Sequence, residues 1–381
     1  MQTDELTADR LRELAELRPG GRVLSVYLNL DPTDFATPAA RSSAIGSLID
    51  EAGRRVKAEE GLSHAERQAL DEDVKRVRDY LRGPSFSADG AHGLAVFSAG
   101  AADVFQTMKL PRAVEPRVVV DDSPWVEPLA GMLSVDRWVV LLANRRAARL
   151  FEGRRDSFSE VASFVDDVRG QSDTGGLSES RYERSQIEEH EEHLRRAAHE
   201  AFKQFNRAPF DHFLVGVPAE SRRALESALH ASLRGRLRGF IEVDVERAAA
   251  DDVTRAAAGE VERAERDRER DRLDRLIEGI ATGGRGVAGL DETLGALNER
   301  RVETLLIAEG FSAPGSLSEG SGLLHSLESG TSPVDGSALI PRGDIVESAI
   351  EAALAQSAEV LVVRHHDDLA ARGSLGAVLR F

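Results

Sequence analysis

Between Asp173 and His193 the chain reads DTGGLSESRYERSQIEEHEEH, a polar loop with a glycine pair that runs into a charged amphipathic helix. Glycine alone reaches positive φ without a Cβ penalty, so Gly175 and Gly176 mark backbone that flexes or comes close to another surface. Leu177 follows them with no polar side-chain atom, and Ser178, Arg181 and Arg184 lie just beyond. Further along, His190, His193 and His199 stand among carboxylates. They do not form the zinc pattern H-E-x-x-H, because the first two histidines lie three apart. His190 and His193 can share a helix face, but no third ligand is indicated, so a solvated helix is the better reading and no metal is assigned. The run RHHDD (Arg364–Asp368) reads as a loop after a strand, and TGGRGVAG lacks the Lys-Ser/Thr ending of a phosphate-binding loop.

Several elements must position these residues. Arg22–Leu30 is a β-rich run that ends at the turn signal Asp31-Pro32. Helices are expected over Ala40–Lys57 and Ser63–Arg82, the second behind Ser63 as N-cap. GLAVFSAG and DVFQTMKLP predict a hairpin, and PRVVVDD a further strand. Trp138–Ala143 and Ala147–Phe151 open a new domain as a strand pair, followed by a polar loop over Arg169–Ser180. A helix is expected from Arg184 to Phe205, with Ile187, Leu194, Ala198, Ala201, Phe202 and Phe205 on one face. His212–Pro218 is a buried-type strand, Ser221–Leu237 a helix, and RGRLRGFIEVDV holds a closing strand. One long charged helix should run from Glu246 to Ile280, long enough to act as a spacer between domains. The last part is again α/β, interrupted by a Ser/Gly/Pro-rich insert over Ser312–Pro341.

Composition sets outer limits. The chain has 381 residues, 41% hydrophobic and 30% charged, with no cysteine, so disulfides and thiolate metal sites are excluded. The polar, acidic N-terminus carries no signal-peptide core, and no apolar run approaches the roughly 20 residues of a membrane span. A cytoplasmic protein without a membrane partner is expected. A net charge of −17 argues against indiscriminate nucleic-acid binding, DNA included, yet allows a local basic face. Arg181 and Arg184 are candidates for such a face, and Arg222, Arg223, Arg234, Arg236 and Arg238 form a second basic group. For any single one of these arginines, surface solubility is the better reading.

The order of elements from Trp138 to Phe381 resembles the archaeal and eukaryotic class-1 peptide chain release factors and their relative Pelota. It is most similar to the bacterial branch of that superfamily, which includes the ribosome-hibernation factor Balon. Three stretches carry the resemblance. GGLSESRYERSQIEEH (Gly175–His190) parallels the family's Gly-Gly-Gln loop and the helix after it. GLDETLGALNERRVETLLI (Gly289–Ile307) resembles the start of the third domain, and GSLGAVLRF (Gly373–Phe381) its C-terminal strand. The resemblance implies an α/β (α+β) multidomain fold in release-factor/Pelota-like order. Its expected parts are an N-terminal α/β domain (1–134), a middle domain with a degenerate Gly-Gly-Gln-type loop (135–271), and a C-terminal α/β domain (272–381) led by the long charged helix. The first domain is not matched, and it lacks the Asn-Ile-Lys-Ser motif of stop-codon reading, so no codon recognition is assigned.

The resemblance also implies a function. In active relatives the Gly-Gly-Gln loop enters the peptidyl transferase centre, where the third residue helps place the water that attacks the ester. Leu177 stands at that position, and this argues against catalysis. Gly175, Gly176, Leu177, Ser178, Arg181 and Arg184 become an rRNA-binding loop of a tRNA-mimicking factor. Such a factor would occupy the ribosomal A site without peptide release, in hibernation or stress protection, with elongation factor Tu as a delivery partner and no cofactor. Two alternatives stay open. Arg169-Gly170-Gln171 offers a shifted tripeptide and hence a peptidyl-tRNA hydrolase or rescue factor, although Ser178, Arg181 and Tyr182 align only with Gly175-Gly176-Leu177. A non-ribosomal interaction protein could also retain the fold, with the glycine pair merely ending a loop. In the insert, SEGSG and SPVDG have the frame of the paired C-x-x-C knuckles of a zinc ribbon, with Ser318, Ser321, Ser332 and Asp335 at the ligand positions. Neutral hydroxyls replace thiolates poorly, so the insert reads as a former ribbon, metal-free and loose, or as an ordinary flexible loop.

Overall fold

A computed structural model describes residues 6–31, 34, 38–83, 86–88, 91–110, 112–133, 136–155, 157–165 and 179–381, with backbone alone at 38–39 and 179–186. The first part runs α1 (Ala8–Glu16), β1 (Val23–Asn29), α2 (Pro38–Ala58), α3 (His64–Arg82), β2 (Gly93–Ala99), β3 (Val104–Leu110), β4 (Arg117–Asp121) and α4 (Glu127–Met132). Its strands form an antiparallel sheet in the order β3-β2-β1-β4. Side chains alternate across a strand, so β1 serves two cores. Leu24, Val26 and Leu28 pack with α2 and α3, while Val23 and Tyr27 face the other way. The Ser63 N-cap expected from sequence is present as a full capping box with Glu66.

The second part runs β5 (Trp138–Ala143), β6 (Ala147–Arg154), β7 (Ser157–Val165), α5 (Glu179–Arg207), β8 (His212–Gly216), α6 (Arg222–Ala228), α7 (Ala231–Arg234), β9 (Leu237–Phe240) and α8 (Ala250–Ala281). The sheet order is β7-β6-β5-β8-β9, antiparallel from β5 to β7 and parallel from β5 to β9. Val139, Leu141 and Ala143 face the helices α5 to α7, and Trp138, Val140 and Leu142 face the start of α8.

Two expectations for this part are corrected. The single helix over Ser221–Leu237 is two short ones, because the chain turns at Leu229 and restarts at His230, whose ring accepts from Ser232 N–H as an N-cap. The charged helix α8 is no bare spacer. Its small and apolar residues Val253, Ala257, Val261 and Ala264 recur every three to four positions and are buried against the sheet.

The last part runs β10 (Gly286–Ala288), α9 (Leu290–Asn298), β11 (Val302–Ala308), β12 (Gly315–Ser318), β13 (Leu324–His325), β14 (Leu339–Arg342), α10 (Ile345–Ala355), β15 (Glu359–Val363) and β16 (Leu375–Leu379). One sheet has the order β10-β16-β11-β15, with β11 and β15 parallel. The insert is ordered as a separate antiparallel sheet, β13-β12-β14, and is not a loose loop.

The chain divides into two compact units, residues 134–265 and a body built from residues 1–133 with 266–381. The body's two halves share one core, in which Tyr27, Phe97, Trp125 and Leu129 meet Leu294, Val346, Ile350 and Leu375. Polar groups fasten the same junction. The Glu347 carboxylate on α10 accepts from Val126 N–H (2.6 Å) and Glu127 N–H (3.2 Å) at the start of α4. Burial pushes the Glu347 carboxyl well up from its ordinary value, while the Val126 N–H works against that rise. Arg342 reaches Asp121 and Asp122 at 2.9 Å, and Arg18 reaches Glu351 at 2.5 Å. Among the described residues no helix is long and apolar enough to cross a membrane.

Candidate nucleic-acid interface

In the middle unit β7 ends at Val165 and α5 begins at Glu179. Gly175, Gly176, Leu177 and Ser178, together with the alternative tripeptide Arg169–Gln171, lie between them and outside the described residues. Arg181 and Arg184 lie in the first turns of α5, where only the backbone is described. A helix start presents unpaired N–H groups and the positive end of the helix dipole, which favours a phosphate. At about 1.5 Å per residue the 29 residues of α5 form a rod of roughly 44 Å. Leu194, Ala198 and Ala201 of the expected face are buried against the sheet, joined by Ala197, with Phe202 and Phe205 partly buried, whereas Ile187, expected on the same face, is 59% exposed.

The histidines on α5 have structural partners. His193 is 3% exposed and packs on Phe164 of β7 at 5.4 Å between ring centroids. Arg196 lies 4.7 Å from the centroid of that same ring. His190 Nε2 is 2.9 Å from Ser221 Oγ, in the segment after β8. His199, nearly two turns beyond His193, is exposed. Among the described residues no group of three metal-ligating side chains occurs. Sequence reasoning placed the two histidines on one face but missed Phe164 and Ser221, since neither lies near them in sequence.

The second basic group divides. Arg222 stacks 4.9 Å from the Phe240 centroid and lies 3.8 Å from Glu242. Arg236 lies over Phe205 and donates to Phe210 O and Ser232 O, and Arg238 donates to His212 Nδ1 at 3.0 Å. These three are built into the fold, whereas Arg223 and Arg234 project from exposed helical positions. The run RHHDD is likewise structural. Buried Glu269 on α8 accepts from Arg364 N–H and His365 N–H and pairs with His365 Nδ1 at 2.9 Å.

The knuckle positions of the insert do converge. Ser318 Oγ donates to Asp335 Oδ2 at 2.7 Å, Ser321 Oγ donates to Ser318 Oγ at 3.0 Å, and Ser332 Oγ accepts from Val334 N–H at 3.3 Å. The Ser321 and Ser318 hydroxyls, with help from Ser337, hold the Asp335 carboxyl well below the usual carboxylate range. One carboxylate and three hydroxyls do not fit zinc, which takes thiolate, imidazole or several carboxylates. Hydrogen bonds around Asp335 join the knuckles instead. Elemental analysis should therefore find no stoichiometric zinc in the purified protein. The fourfold variant Ser318→Cys, Ser321→Cys, Ser332→Cys and Asp335→Cys should take up about one equivalent, with thiolate–zinc distances of ~2.3 Å by X-ray absorption. Stoichiometric zinc in the wild type would overturn that account.

Residues 124–263, which span both the strand pair and the glycine loop, match the family model of bacterial archaeo-eukaryotic release factor family 10. Over these residues the chain is similar to that family. The architecture around them is mixed α/β. The chain is similar to the crystal structure of an archaeal translation termination factor, aRF1, at 16% identity over 98% of both chains, with a TM-score of 0.28. It is similar to archaeal Pelota, in a model of the ribosome-bound protein with ABCE1, at 18% identity over 73% of this chain and 72% of that one, TM-score 0.42. It is also similar to Saccharomyces cerevisiae Dom34, described as a translation termination-like factor interacting with Hbs1, at 10% identity over 76% and 81% of the two chains, TM-score 0.39. A comparison with curated proteins returns no match.

Proposed function

We propose that the protein is a ribosome-associated factor whose release-factor-family domain enters the A site as a tRNA mimic without releasing peptide, in hibernation or stress protection. The observation that carries this is the family match over residues 124–263, which brackets Gly175-Gly176-Leu177. In that frame the two glycines let backbone approach rRNA, Ser178, Arg181 and Arg184 supply polar and cationic contacts, and Leu177 packs without supplying a hydrogen bond. Water positioning at the ester then lacks its usual side-chain partner. Elongation factor Tu is the proposed delivery partner. The site needs no cofactor.

One observation favours a second proposal, a peptidyl-tRNA hydrolase or rescue factor. Arg169-Gly170-Gln171 supplies a glutamine on the same stretch of chain, and backbone N–H groups can stabilise an oxyanion without any side chain. Both proposals require ribosome binding, and that requirement separates them from an interaction protein that merely retains the fold. Sedimentation of the purified protein with ribosomes through a sucrose gradient, with and without elongation factor Tu, is the test.

A further inference from the structure

The contacts at the start of the described part of α5 share a chemistry that its RNA-facing role does not use. His190 touches the domain through Nε2, 2.9 Å from the Ser221 hydroxyl, and Ser221 is 3% exposed. His190 Nδ1 is buried and has no hydrogen-bond partner among the described residues. When Nε2–H donates to Ser221, Nδ1 needs to present only a lone pair. A second proton would leave a buried N–H unsatisfied.

The charges facing the ring come from three elements. Arg145 lies in the turn between β5 and β6, Glu220 lies beside Ser221 after β8, and His193 and Glu191 lie on α5 itself. Burial, then Arg145, then His193 lower the imidazole's affinity for a proton below its ordinary value, against the smaller opposing effects of Glu220 and Glu191. One turn along, His193 and Arg196 close on Phe164, the penultimate residue of β7. The two histidines thus hold this part of α5 to the segment after β8 and to the end of β7.

We infer that His190 and Ser221 form a proton-sensitive catch that positions the N-terminal half of α5, and with it Arg181 and Arg184, for a polyanionic partner. This rests on the ribosome-binding proposal for its consequence, though not for its existence. His190 is a positioning residue here, since it acts through the helix that carries the arginines. The sign follows from linkage. A histidine whose folded value lies below the unfolded ~6.5 favours the fastened state fully above about pH 6.5, and that contribution is lost as pH falls through the folded value. Acid therefore releases α5.

The test uses the full chain without ribosomes first. Hydrogen exchange of the amides over residues 188–196, corrected for intrinsic rates, is compared at pH 7.5 and 5.5. Protection in the wild type should fall at the lower pH by more than twofold and by up to about tenfold, the ceiling for one group with an unfolded value of ~6.5 over this interval. His190→Gln, which can still donate to Ser221 but does not titrate, should change less than about twofold, with His190→Asn as a second non-titrating variant. Ser221→Ala should lower protection at both values. The proposal is overturned if wild-type protection is indifferent to pH, or if both non-titrating variants lose protection in acid as the wild type does. Ribosome affinity at the two pH values is then read on the same proteins. It should weaken in acid for the wild type, by no more than the loss of protection, and stay flat for His190→Gln. The expected exchange result with no ribosome binding at either pH supports the catch and removes the ribosomal proposal instead.

Discussion

Leu177→Gln should leave ribosome binding within about twofold of the wild type, whereas Gly175→Ala or Gly176→Ala should weaken it tenfold or more. The leucine is proposed to pack, and glutamine is close to it in volume, so the approach of the loop survives. A Cβ at either glycine meets one of two costs. Where φ is positive it strains the backbone by about 1–3 kcal/mol, and where rRNA comes close it blocks contact outright. The middle of that strain range, about 2 kcal/mol, already exceeds the 1.4 kcal/mol that corresponds to tenfold in affinity. Release of labelled peptide from programmed ribosome complexes, measured in parallel, separates factor from enzyme. The wild type should release little, and Leu177→Gln should gain release where the restored amide reaches the attacking water. Brisk wild-type release that Gln171→Ala abolishes would establish the shifted tripeptide as catalytic. Brisk release that needs both glycines but ignores Gln171 would show that backbone groups suffice.

A second large effect is expected far from that loop. Ile350 on α10 is fully buried in the core that residues 1–133 and 266–381 share. Ile350→Ala removes its outer methyl groups and leaves a cavity, at a cost of about 2–5 kcal/mol. The protein's two tryptophans report on different units. Trp125 packs on Tyr27 in the shared core, at 5.1 Å between ring centroids, and Trp138 lies in the middle unit. In denaturant titrations the Trp125 transition, read in a Trp138→Phe background, should shift by that amount. The Trp138 transition, read in a Trp125→Phe background, should move far less. An unmoved Trp125 transition would mean that residues 1–133 hold together without the C-terminal half.

That shared core also shows where sequence reading stops. Strands such as Trp138–Ala143 were legible because local hydrophobic runs and flanking turn residues are sufficient, and the Ser63/Glu66 capping box was legible for the same reason. β7 was missed because SFSEVASFV buries only Phe158 fully and alternates polar residues on an open edge. The break at His230 was missed because Ser221–Leu237 keeps helical spacing on both sides of it. α8 read as a solvated spacer because its arginines and carboxylates outnumber the small residues that pack. No local pattern could show that Glu347 would cap the start of α4, since the partners lie 220 and 221 positions apart. The knuckle frame was readable from spacing alone, but the Asp335 hydrogen-bond hub that joins its two halves needed coordinates. The glycine loop and its two arginines rest on sequence and family match.

Co-sedimentation tests the central claim most directly. Purified full-length protein and 70S ribosomes are run through sucrose gradients at 50 mM and 200 mM salt, with and without elongation factor Tu. The protein should travel with the ribosome or its large subunit at the lower salt. Binding should fall by on the order of a hundredfold at the higher salt if about four phosphates are contacted. Protein that stays at the top of every low-salt gradient, with or without the elongation factor, would contradict the account.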